Sequence, residues 1–335
     1  MKILGKKVSN LINRKDNEAF QDYFVRLFEN KNMYDLTCVK IAELLNFESG
    51  EEKGEAAWRK EYASFNRGRI YERKQKDEGV ATRILSCSDF HCPFQLPKEI
   101  FADYVGSVDV LQLNGDIVDM QSISRFGKSY RVSPMEEIIG CRQYIIDLIE
   151  YIQPKSVIAV YGNHESRFGM YLAKNLDSDL LELMPETALD LIFNDGFRHY
   201  DKRAKSKIWY EPLSKVFEDI EIKYEGKWHC QIGQTIFCHP KAFSLGIMKT
   251  AEKAMLWFRN EGYSFDALTM AHTHRMGEYI IGNTVIYEQG ACCDVSKNNY
   301  NDGELVNTQK QGFIYVCQDG SGSLIKSQTK LVSAN

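Results

Sequence analysis

The sequence predicts an α/β protein in which a mixed β-sheet domain follows a small all-α segment. Three observations carry that expectation. The first 80 residues contain helical spacings and no strand-like run. From Ala81 onward, short apolar runs alternate with helical patterns, the signature of a layered α/β domain. The last of these runs lie close together, which implies hairpins and a mixed rather than purely parallel sheet.

In the leading segment, Glu18–Glu29 places Phe20, Tyr23, Phe24 and Leu27 at helical spacing. A second helix is expected over Thr37–Leu45, with Thr37 as N-cap and Val39, Ile41, Ala42, Leu44 and Leu45 facing inward. Glu48–Gly54 reads as a polar turn and Glu55–Lys76 as a longer basic helix. Beyond it, strands are expected at Arg83–Ser88, Val108–Asn114, Ser156–Tyr161, Thr235–Cys238, Ala267–Ala271, Glu278–Ile281, Thr284–Glu288 and Gly312–Cys317. Ser133-Pro134-Met135-Glu136 has the pattern of a capping box with Pro at the first helical position. Ile138, Cys141, Ile145, Leu148, Ile149 and Ile152 then form one apolar stripe. Phe168–Asp195 reads as helical and apolar, a cap packed over the sheet. The expected division is 1–80 and 81–335.

With 335 residues, 44% hydrophobic and 26% charged, the chain can bury one large core or two modest ones. A formal net charge of −4 excludes coating of nucleic acid by bulk charge. The first 80 residues carry 16 Lys+Arg and 14 Asp+Glu, leaving 26 and 32, so a slightly basic leader precedes an acidic remainder. No run is long and apolar enough to span a membrane, and the N-terminus has no secretory pattern. Nine Cys form no C-x-x-C pair, several within apolar runs, which suggests reduced core thiols in a cytoplasmic protein.

Five short motifs each follow a strand-like run, where α/β sheets place their chemistry: Asp89-Phe90-His91, Gly115-Asp116-Ile117-Val118-Asp119, Gly162-Asn163-His164-Glu165, Cys238-His239-Pro240 and Ala271-His272-Thr273-His274. Five of the seven His fall in them. Three Asp, five His and one Asn form the mixed oxygen and nitrogen set of a dinuclear metal centre.

In this order and spacing the motifs resemble the calcineurin-like metallophosphoesterase superfamily over roughly residues 83–290. The resemblance implies a four-layer α/β/β/α sandwich of two mixed sheets and a metal-dependent phosphoester hydrolase. It implies one metal held by Asp89, His91 and His274, a bridging Asp116, and a second metal held by Asn163, His239 and His272. Ala271 stands where the family has Gly, and Pro240 where it often has Gly or Ala. Two divalent ions are implied, with Mn²⁺ first and Fe, Zn, Ni or Co also compatible with the donors. Two such ions about 3.5–4 Å apart lower the pKa of a shared water and bind phosphate oxygens. His164 is the expected general acid or transition-state stabiliser, oriented by Asp119; an N-cap or surface role for Asp119 is the alternative. Arg167 is the expected phosphate contact. Arg125, Lys128, Arg131, Lys241 and Arg275 are further candidates for steering phosphate, or else a solvated rim.

Met120-Gln121 after the Asp116 motif, in place of Arg-Gly, counts against the Ser/Thr phosphatase branch. Asp89–Phe94, Gly162–Arg167 and Glu288–Asp294 look like bacteriophage-encoded members, many of them presumed nucleases. The leading segment adds a resemblance to a helix-turn-helix module. Its last helix holds Arg59, Lys60, Arg67, Arg69, Arg73, Lys74 and Lys76, interleaved with Trp58, Tyr62, Phe65 and Tyr71. A helical hairpin docked on the catalytic domain explains the same residues equally well. The expected function is therefore a phosphodiesterase acting on DNA, with no membrane partner. The alternatives are a phosphoesterase for a small nucleotide or phosphoprotein, and a DNA-binding scaffold with an inactive domain. The intact set of ligands argues against the last.

Overall fold

The computed structural model describes residues 12–334, apart from 16, 32–33, 35, 77–78, 125–131, 202–204 and 298–308. The chain divides into two compact units, Met1–Glu78 and Gly79–Asn335.

The first unit holds α1 (Phe20–Glu29), α2 (Cys38–Ser49) and α3 (Glu55–Lys76). Tyr23, Phe24 and Leu27 of α1 meet Ile41, Ala42 and Leu45 of α2 and Trp58 of α3 in one small core. The Thr37 side chain caps α2 by accepting from the Lys40 N–H, and left-handed Gly50 ends it. The helix thus runs through Glu48, where the sequence reads as a turn. Val39 faces out, 57% exposed, because it lies two residues, about 200°, from Ile41 on the helical wheel. Trp58 is buried and donates its indole N–H to Asn46 Oδ1 at 2.8 Å. Tyr62 stacks on Phe28 at 4.6 Å between centroids, while Phe65 is exposed. The side chains of Arg69, Tyr71, Arg73, Lys74 and Lys76 lie outside the described residues.

In the second unit, β1 (Thr82–Cys87), β2 (Val110–Asn114), β3 (Ser156–Val160) and β6 (Glu221–Tyr224) are parallel neighbours. With β12 (Gly312–Gln318) and β13 (Lys330–Ser333) added antiparallel, they form a six-stranded sheet ordered β13-β12-β1-β2-β3-β6. The second sheet runs β10-β11-β9-β8-β7, from Met276–Ile281, Thr284–Gln289, Ala267–Met270, Thr235–Cys238 and His229–Ile232. β4 (Phe197–Asp201) and β5 (Ser206–Tyr210) pair as a separate hairpin.

Period-2 alternation sorts the strand side chains between layers. Ile84, Val110 and Val160 of the first sheet meet Phe237, Val285 and Tyr287 of the second in the central layer. Leu85, Leu111, Leu113, Val157 and Ala159 point the other way, to α4 (Pro134–Ile152), whose whole predicted stripe is buried there. Ile236, Leu268 and Ile286 point outward to another helix, α6 (Lys249–Asn260). Helix, sheet, sheet, helix is the expected four-layer sandwich.

Every strand expected from sequence is present within one or two residues at its ends. The Phe168–Asp195 reading needs correction. It breaks into α5 (Ser166–Asn175) and the shorter helical stretches Ser178–Leu181, Ala188–Asp190 and Leu191–Asp195. Leu189, Ile192 and Phe193 pack on the core, but Leu180, Leu183 and Met184 are exposed. Among the described residues no helix is long and apolar enough to cross a membrane.

Candidate metal centre

The five motifs leave β1, β2, β3, β8 and β9 at the same ends of their strands, and their side chains converge. The chain bends sharply there: Asp89 (φ 52°), His91 (46°), Asp116 (50°), His272 (81°) and His274 (54°) all adopt the left-handed conformation. Ala271 does not, so the missing glycine is no obstacle to the turn. Glycine is needed elsewhere. A Cβ on Gly162 would collide with the Asp116 carboxylate, and one on Gly115 would lie 2.7 Å from His239 Nδ1.

Asp89 Oδ1 lies 3.1 Å from His274 Nε2 and 3.9 Å from His91 Nε2, and the two imidazole nitrogens are themselves 3.1 Å apart. Asp116 Oδ2 lies 3.1 Å from His239 Nε2. Ligands about 2.0–2.2 Å from one ion lie about 3.0–3.5 Å from each other, so these separations fit a coordination sphere. Two groups of potential ligands share Asp116: one adds His91 and His164, the other His239 and His272. Asp89 Oδ1, Asn163 Oδ1 and His239 Nε2 are buried with no hydrogen-bond partner. Such orphaned acceptors are costly unless something positive satisfies them. His239 Nδ1 donates to the Asn114 carbonyl at 2.7 Å, which leaves the Nε2 lone pair facing the Asp116 carboxylate. The donor set therefore fits two cations sharing Asp116.

Electrostatics agree. Burial alone would lower the His239 pKa, yet Asp116 and Asp89 push it up to about 10, a measure of how strongly the carboxylates draw positive charge. Burial would raise Asp89, but His274 and His239 bring it down to about 2. His272 falls to about 4 through burial and neighbouring His239, which leaves it neutral and able to donate a lone pair.

Asp119 receives His164 Nδ1 at 2.8 Å on both its backbone oxygen and Oδ1. His91 Nδ1 lies 3.3 Å from the same Oδ1, so one carboxylate steadies two imidazoles. Burial works against that charge, but the two histidines hold its pKa well below the usual range. His164 itself is lowered, chiefly by burial. Its Nε2 lies 3.7 Å from Asp116 Oδ2 and accepts from Arg167 Nη2 at 2.9 Å. Arg167 also donates to the Asp119 carbonyl at 2.8 Å, which places its guanidinium at the centre. Arg275 is not a steering cation: it is 5% exposed and donates to the carbonyls of Ser244, Leu245 and Gly246. Lys241 is exposed beside Pro240. Arg125, Lys128 and Arg131 lie outside the described residues.

Two groups escaped the sequence reading. Glu165, fully buried, accepts the backbone N–H groups of Gly162, Asp116, Ile117 and Val118 at 2.6–3.0 Å and so pins two motif loops together. Its place at the end of Gly162-Asn163-His164-Glu165 was a signal, but the partners are tertiary. Cys293, buried, has its sulfur within 4.8 Å of ligand atoms of His91 and His274.

Comparisons with known proteins fall on the same two units. The N-terminal 9–77 match a YonJ N-terminal domain model. The SPbeta prophage-derived uncharacterized protein YonJ of Bacillus subtilis (strain 168) is 40% identical over 65 residues, 19% of this chain and 16% of that protein's length. Among solved structures, vacuolar protein sorting 29 from Cryptosporidium parvum aligns at 13% identity over 72% of this chain and 87% of its own, TM-score 0.37. A metallophosphoesterase from Sphaerobacter thermophilus aligns at 15% identity over 73% and 86%, TM-score 0.35. Residues 82–276 match the calcineurin-like phosphoesterase model, more than half of the sequence, and the chain belongs to that family.

Proposed function

We propose that the chain is a phosphodiesterase that hydrolyses DNA with two divalent metal ions. The observation that carries the hydrolytic part is the convergence of Asp89, His91 and His274 with Asp116, His239 and His272 around orphaned acceptor atoms. In this reading Asp89, His91 and His274 hold one ion, Asn163, His239 and His272 the other, and Asp116 both. When bound, the ions supply a nucleophilic hydroxide at neutral pH and neutralise charge on the phosphate.

The protein's own groups do the rest. A phosphate oxygen entering beside Arg167 takes over the N–H now given to His164 Nε2. That leaves Nε2 free to take up a proton from solvent and give it to the departing ester oxygen, while Asp119 holds the ring through Nδ1. Two features support DNA as the substrate: the basic residues of helix α3 and the family likeness of the leading segment to a prophage-derived protein.

A substrate panel tests the reading. With Mn²⁺ the full chain should cleave bis-aryl phosphate and linear DNA, and a chelator should stop both. Activity confined to aryl monoesters would overturn the diesterase assignment. Reversing Arg59, Lys60 and Arg67 to Glu should weaken DNA cleavage and leave bis-aryl phosphate hydrolysis unchanged. Equal DNA cleavage by that variant would remove the leading unit from substrate binding.

A further inference from the structure

A phosphoester held by the metal centre must send its ester substituents away from the ions, and a cavity lies beside two of the metal-site motifs. It has a volume of about 450 Å³, in the range that accepts a small organic ligand. Its wall includes Pro240 and Lys241, directly after His239, and Tyr161, two residues before Asn163. Trp228, Trp257 and Lys253 also line it. The two indoles lie 5.1 Å apart between centroids at 58°, and Trp257 is 42% exposed, a large aromatic face left toward solvent. Among the described residues neither lysine pairs with a carboxylate; Lys253 Nζ donates to Ser244 Oγ at 3.0 Å.

We infer that this cavity is the subsite for an unpaired nucleobase adjoining the scissile phosphate. The inference deepens the DNA phosphodiesterase reading and rests on it for the placement of the phosphate. Three aromatic rings line the cavity, and stacking of bases on aromatic rings tolerates sequence. The two ammonium groups lie in an otherwise acidic unit, where they suit the flanking phosphates of the same strand. A base inside a duplex cannot enter a cavity without leaving its stack. The subsite therefore selects single strands, frayed ends or free nucleotides over intact duplex.

Binding measured by fluorescence anisotropy, with the full chain in chelator, separates this step from hydrolysis. The probes are a labelled oligothymidylate and a strand of equal length built of abasic sites. The wild type should bind the base-bearing strand about tenfold to a hundredfold more tightly. Trp257→Ala should abolish that difference and leave the abasic affinity unchanged. Trp257→Leu keeps the apolar bulk of the helix and should behave in the same way, whereas Trp257→Phe should retain most of the preference. A preference that survives in the Leu variant, or none in the wild type, overturns the inference. Thymidine monophosphate competing as strongly as the oligonucleotide assigns the cavity to a free nucleotide and overturns the strand. With Mn²⁺ restored, base preference without cleavage of either strand leaves the subsite standing and defeats the hydrolase. Cleavage without base preference does the reverse.

Discussion

Glu165→Ala gives the sharpest test of how the centre is built. The carboxylate accepts four backbone N–H groups, those of Gly162, Asp116, Ile117 and Val118, and it has no solvent exposure. Alanine leaves four buried donors without an acceptor, each costing about 1–3 kcal/mol. Even at the low end, this destabilises by about 4 kcal/mol. At about 2–4 °C per kcal/mol for a unit of this size, the unfolding midpoint should fall by roughly 8–16 °C. Glu165→Gln keeps one acceptor oxygen but turns an amide donor toward the other N–H groups, so its loss should be intermediate. The same N–H groups fix the loop that aims Asp116, so uptake of Mn²⁺ should weaken along with stability. Thermal unfolding by circular dichroism and isothermal titration with Mn²⁺ read the two effects. A midpoint unchanged in the alanine variant, or lost stability with metal affinity intact, would refute the idea that Glu165 couples fold to site.

Other groups give separable signatures. His164→Ala should leave metal content unchanged and reduce turnover on bis-aryl phosphate by about a hundredfold or more, since the ring carries only the proton; unchanged turnover refutes that role. Asp119→Asn should reduce turnover and also weaken metal binding by about tenfold, because Asp119 meets both His164 and His91; metal content measured after dialysis distinguishes the two variants. Loaded with Co²⁺, the wild type should show an ultraviolet thiolate-to-metal band that Cys293→Ser lacks, and identical spectra would exclude the thiol from the coordination sphere. Far from the site, Asp109 lies 2.6 Å from Lys155 Nζ and accepts from the Arg83 N–H. Burial would raise its pKa, but Lys155 and the Arg83 N–H lower it below 3.8. A depressed carboxyl contributes stability above its unfolded value that disappears as pH falls through the folded one. Asp109→Asn should therefore lower the neutral-pH midpoint and shrink the loss seen on acidification; an unchanged pH dependence refutes it.

The strands legible in sequence are those buried on both faces or closing a hairpin over the core. Val110–Asn114 and Thr284–Gln289 are buried at every position, and apolar residues fill most of each run or its centre. Those missed are β4 and β5, a half-exposed hairpin, and the short edge strands β6, β7 and β13, whose alternation is diluted by Lys, Glu and Gln. Arg275 was misread for a related reason. Adjacency to His274 suggested phosphate, but its long side chain is taken by the carbonyls of the 244–246 loop, which no local pattern reveals.

The site was legible as a set of residue types but not as a geometry, and the distinction has a physical cause. Asp89 with His91, and His272 with His274, are two residues apart. In an extended strand such pairs share a face with their Cα atoms about 6.6 Å apart. Here the motifs lie past the strand ends, where the backbone leaves the extended region. All four of these residues, and Asp116, take the left-handed conformation, at about 1–3 kcal/mol each for side chains that rarely adopt it. Strain of that size persists only where surrounding contacts over-determine it. Glu165 on the Asp116 loop, the Ser88 hydroxyl donating to Asp89 Oδ2 at 2.7 Å, and the Asn114 carbonyl on His239 are such contacts. Ligand identity is thus written in five short motifs, whereas the convergence of the ligands depends on Glu165, Ser88 and Asn114, whose roles appear only in three dimensions.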